Sequence, residues 1–96
     1  MEIRVPIAGD DCNGISETDF NTYKIPEPPQ GVQSGKGDSL LLLFKNSEEA
    51  LKYAIHLNDV HERMEASSEY YCSRKKIKQI ISAVNEQVDF KSIKFD

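Results

Sequence analysis

From Gly37 the chain reads Gly-Asp-Ser-Leu-Leu-Leu-Leu-Phe-Lys-Asn-Ser-Glu-Glu-Ala, an apolar run that passes directly into the start of a helix. Leu40 to Phe44 is too short to span a membrane and is bounded by polar turn residues, so it reads as a core strand. A continuous apolar strand must hide both faces, which places it at the centre of a sheet. Asn46 and Glu49 then stand three apart, the spacing of a capping box, with Ser47 and Glu48 adding cap potential and negative charge at the positive helix end. Ala50, Leu51, Ala54, Ile55, Leu57 and Val60 follow at helical spacing with Met64 a turn later, predicting a helix over about 47–64.

Other elements are built around this unit. Ile3, Val5 and Ile7 alternate with Glu2, Arg4 and Pro6, the period of a half-buried strand, and Pro6 assigns it to an edge or ends it there. Phe20 to Ile25 reads as a short strand closed by Pro26, Pro28 and Pro29. Ile77, Ile80, Ile81, Val84 and Val88 predict a second helix. One continuous helix over 47–87 would be about 60 Å long, too long for so small a core, so two helices are expected. Phe90, Ile93 and Phe95 suggest a last strand. The expectation is a single α+β domain over 1–96: a small, mostly antiparallel sheet of three to four strands near 2–7, 20–25, 39–45 and 90–95, covered on one face by two helices. Ile3, Val5, Ile7, Ile55, Ile81, Val84 and Phe95 are expected to join the central strand in the core. Two helices need not cover both sheet faces, so a homodimer fits the same pattern.

The net charge of -4 arises entirely in residues 1–30, where Glu2, Asp10, Asp11, Glu17, Asp19 and Glu27 face only Arg4 and Lys24. The remainder is neutral, with a basic cluster at Arg74, Lys75, Lys76 and Lys78. Cys12 and Cys72 are too few and too distant in sequence for a disulfide framework. The opening Met-Glu-Ile-Arg-Val-Pro lacks the basic and apolar regions of a secretory leader. A reducing cytoplasm with both thiols free is the simplest expectation, with one long-range disulfide between them left open, and no membrane association is expected.

Motifs for chemistry fail on spacing. Gly31-Val-Gln-Ser-Gly-Lys-Gly has three residues between its first glycines where a P-loop needs four, ends in Gly rather than Ser or Thr, and feeds a strand rather than a helix. Aligning Gly14 with the invariant glycine of a calcium loop puts Gly9 and Phe20 at essential ligand positions. His56 and His61 differ by five positions and point in different directions on one helix, unlike zinc-binding pairs three or four apart. No cofactor, metal or catalytic set is therefore expected. A Cys–His nucleophile requires the fold to bring Cys12 or Cys72 beside an imidazole.

Two surfaces remain. Residues 8–38 are a long acidic connection rich in Pro and Gly, and long connections are often functional. A non-enzymatic module of the inhibitor, antitoxin or adaptor kind would present it, through Asp10, Asp11, Glu17, Asp19, Tyr23 and Glu27, together with a sheet edge or helix face, to another protein. The alternative is an accessory protein for nucleic acid, or a face for an acidic partner, using Tyr70, Arg74, Lys75 and Lys78, where aromatic and basic residues interleave.

Overall fold

The computed structural model describes residues 1–7, 12–35 and 37–88. Three strands, β1 (Glu2–Pro6), β2 (Val32–Ser34) and β3 (Ser39–Leu43), form one antiparallel sheet in the order β1-β3-β2. The apolar run is thus the central strand, as its two hidden faces demand. Ile3 lies opposite Leu42 and Val5 opposite Leu40, so these four side chains share one face. They pack with Phe44, with Ala50, Tyr53, Ala54 and Leu57 of helix α2 (Ser47–Arg63), and with Ile77, Ile80 and Val84 of helix α3 (Tyr71–Gln87). A small α+β fold with both long helices joined to one sheet face results.

The helix limits follow from local chemistry. Asn46 Oδ1 accepts the Glu49 N–H at 2.9 Å, while the Glu49 carboxylate reaches one residue past the cap to accept the Lys45 N–H at 3.0 Å. This is a capping box displaced by one position, and it starts α2 at the expected point. Met64 adopts an extended conformation that stops α2, and a 3₁₀ turn at Ser68–Tyr70 then leads into α3. The two helices are separate.

The expected strand over 20–25 is absent. Asp19–Thr22 forms a short helix, α1, and the Asp19 carboxylate accepts the Ser16 N–H at 2.8 Å, bracing the turn that leads into it. Lys24, at φ 56°, reverses the chain, and the Ile25 N–H closes onto the Phe20 carbonyl at 2.9 Å in a Schellman-type stop. Ile15, Phe20 and Ile25 are delivered into the core. The sheet instead gains β2 from the stretch expected to be loop. Gly35 makes the hairpin possible, since a Cβ there would meet Ser39 Oγ at 2.7 Å.

Ile3, Val5 and Val84 are fully buried as expected, and Ile81 is half-buried. Ile55 is 61% exposed, because the buried stripe of α2 runs through Ala50, Tyr53, Ala54 and Leu57 and Ile55 lies about 140° around the helix from Ala50. Ile7 is also exposed, one residue beyond the last pair of β1 with β3. The expected strand over 90–95, with Phe95, lies outside the described residues.

Candidate functional site

The acidic connection is bound to both helices. Cys12 is joined to Cys72 of α3 by a disulfide. One turn on, Lys76 is only 3% exposed, and its Nζ donates to the Gly14 carbonyl at 2.8 Å and to Asp19 Oδ2 at 2.7 Å. The same ammonium sits 5.3 Å from the centre of the Tyr23 ring. Gln79 accepts the Gly14 N–H at 2.7 Å and donates to the Cys12 carbonyl at 2.9 Å. Cys72, Lys76 and Gln79 are spaced four and three apart, so one stripe of α3 holds the segment. Farther on, the Tyr53 hydroxyl of α2 donates to the Pro26 carbonyl at 2.6 Å. Burial, and secondarily the charge of Glu27, push that phenol far above its ordinary pKa.

These contacts correct several expectations. The long-range pairing left open by the sequence is made, so the thiols are not free, and the cytoplasmic expectation loses the part of its support that came from cysteine usage. A Cys–His nucleophile loses its thiol as well. Asp19 is 7% exposed and paired with Lys76, so it is a structural anchor and offers nothing to a partner. Burial raises its pKa, but the hydrogen bonds from Lys76 and Ser16 and the Lys76 charge outweigh this and leave it lowered. Tyr23 is half-buried beneath Lys76. Glu17 and Glu27 are exposed, Glu17 lying 3.4 Å from the Ser34 hydroxyl. Asp10 and Asp11 lie outside the described residues.

The basic face is arranged differently. Where α2 ends and α3 begins, a groove of about 620 Å³ is lined by His61, Ser67, Ser68, Tyr71, Arg74, Lys75 and Lys78, with Ala66. Arg74 forms part of the wall by reaching across to α2, its Nη1 donating to the Met64 carbonyl at 2.9 Å. Lys75 Nζ lies 5.9 Å from the centre of the Tyr71 ring, which is 59% exposed. The described lining includes three permanent cations and no carboxylate. His61 responds to this field: burial, then the charges of Arg74 and Lys78, lower its pKa, against a smaller opposing effect of Glu62.

Arg74, Lys75 and Lys78 are therefore brought together as their spacing suggested, but Tyr71 and not Tyr70 is their aromatic neighbour. Tyr70 lines a separate recess with Val60 and Met64. His61 escaped sequence reasoning because it comes from the other helix. Among the described residues no cluster of His, Cys, Asp or Glu could hold a metal ion, and no helix is long and apolar enough to cross a membrane. The groove offers cations, hydroxyls and one aromatic ring, a set whose chemistry suits an anion. Comparison with protein-family models, curated proteins and solved structures finds no match to this chain.

Proposed function

We propose that this protein is a non-enzymatic binding module that receives an acidic segment of another protein in the groove between α2 and α3. The observation that carries the reading is the one-signed lining of that groove: Arg74, Lys75 and Lys78 with His61, and no described carboxylate. The Arg74 guanidinium and the Lys78 ammonium suit carboxylates, and the neighbouring hydroxyls can share the remaining lone pairs. The acidic connection is the weaker docking surface, since Asp19 and Tyr23 are consumed by Lys76. The net charge of -4 argues against non-specific binding along a nucleic acid. The Cys12–Cys72 bond supports an oxidising compartment for this reading, because such bonds persist there.

Fluorescence anisotropy with a labelled glutamate-rich peptide and a labelled single-stranded oligonucleotide tests this. The peptide should bind, weaken as salt rises, and lose about tenfold affinity when Lys75 and Lys78 are both replaced by Glu. Absence of peptide binding, or indifference to that double reversal, contradicts the reading. Tighter binding of the oligonucleotide, lost in the same variant, would replace it with the nucleic-acid reading, for which exposed Tyr71 beside Lys75 supplies the stacking surface.

A further inference from the structure

The groove does not end at the first turns of α3. A second depression of about 380 Å³ shares Lys75 and Lys78 with it and continues past Ser82 and Glu86 to Arg4 of β1. A third, of about 600 Å³, shares Arg4, Pro6 and Gln87 with the second and opens on the outer sheet face beside Glu2 and Asp38. The three are thus consecutive along one path. Among the described residues its charge changes along the way: cations without a carboxylate at the start, cations with an opposing Glu86 in the middle, and acids where Glu2 and Asp38 flank Arg4. Arg4 makes no ion pair among the described residues.

Resting on the acidic-partner reading, we propose that the ligand is an extended acidic chain lying along α3 from Tyr71 to Arg4, and not a compact anion held at Arg74 and Lys78. From Tyr71 to Glu86 α3 rises about 22 Å, which about seven residues of extended peptide would cover. The chain binds through side chains and does not add a strand to β1. The edge it would need is closed at Arg4, whose N–H donates to Gln87 Oε1 at 2.8 Å and whose carbonyl accepts from Gln87 Nε2 at 2.6 Å. At Pro6 the same edge is closed by the Ile15 N–H, 2.8 Å from the Pro6 carbonyl. Lys78 is the central contact, because it lines both the first and second depressions. Glu86 disfavours acid at the distal end of the ligand, and Glu2 with Asp38 sets the limit of the track.

The test compares oligoglutamates of about four and about eight residues, lengths that fill one depression or run the whole track. Longer peptides gain affinity from charge alone, so variants at exposed Arg4 and Glu86 decide the matter. Arg4→Gln should weaken the long peptide about twofold to fivefold and leave the short one unchanged, while Glu86→Gln should strengthen the long peptide only. Lys78→Glu should weaken both. Equal responses of the two peptides to Arg4→Gln, or none by the long one, would overturn the extended track while leaving the groove as an anion site. Failure of both peptides to bind the wild-type protein would overturn the acidic-partner reading itself, and the track with it.

Discussion

Residues 12–27 and the first turns of α3 are both rich in charge, but the charges are put to opposite use. In the acidic segment Asp19 is buried against Lys76, the chain is tied covalently to α3, and only Glu17 and Glu27 face solvent among its described carboxylates. In the basic face one cation, Lys76, turns inward to make that anchor, while Arg74 and Lys78 line an open groove. Local charge density does not therefore mark a binding surface. What matters is whether the opposite charge is supplied from within the fold.

The comparison breaks most visibly if the anchors are removed. The Cys12–Cys72 bond closes a chain separation of 60 residues, worth about 4 kcal/mol in the loop-closure account. Replacing both cysteines by Ser should lower the free energy of unfolding by that order in a denaturant titration, and reductant should do the same to the wild type. Lys76→Met leaves the Asp19 carboxylate buried without its cation and should cost about 3 kcal/mol. Adding Asp19→Leu to that variant should recover part of the loss, since no charge then remains buried.

A smaller effect concerns the turn after α1. Lys24 holds a left-handed conformation at φ 56°, which glycine adopts without steric cost, so Lys24→Gly should raise stability by about 0.5–1 kcal/mol. Smallest is the pH effect of His61, whose folded pKa lies below its ordinary 6.5 because of burial, Arg74 and Lys78. Between that lowered value and 6.5 the unfolded chain holds more protons than the native one. Its contribution to stability is thus present above 6.5 and lost as pH falls through this window. An acidic peptide reverses the field at the imidazole, so peptide binding should take up a proton and tighten over the same fall in pH. His61→Gln should remove both dependences, read by denaturation and anisotropy across the window.

Much of the scaffold is legible in the amino-acid order because it depends on neighbours. The Leu40–Phe44 run, the Asn46–Glu49 cap and the apolar stripe of α2 all act within a few residues. No strand forms over 20–25, although Phe20, Tyr23 and Ile25 favour one, because the turn braced by Ser16 and Asp19 just upstream leads into a helix. β2 was obscured because a three-residue strand with one apolar side chain has no period to detect. The disulfide, the Lys76 anchor and the Gln79 clamp join residues 57 to 67 positions apart, and nothing local announces such pairs. For the groove, the cations and the shared face of Tyr71, Lys75 and Lys78 are readable from their spacing on one helix, whereas the part taken by His61 depends on how α2 and α3 pack.

The contrast between a consumed acidic segment and an open basic groove is tested most directly by backbone amide NMR during titration with oligoglutamate. The account predicts shift changes concentrated at His61, Ser67, Tyr71, Arg74 and Lys78, with Gly14, Ile15, Glu17 and Glu27 unmoved. Shifts centred on residues 12–27, with the α2–α3 groove silent, would contradict it.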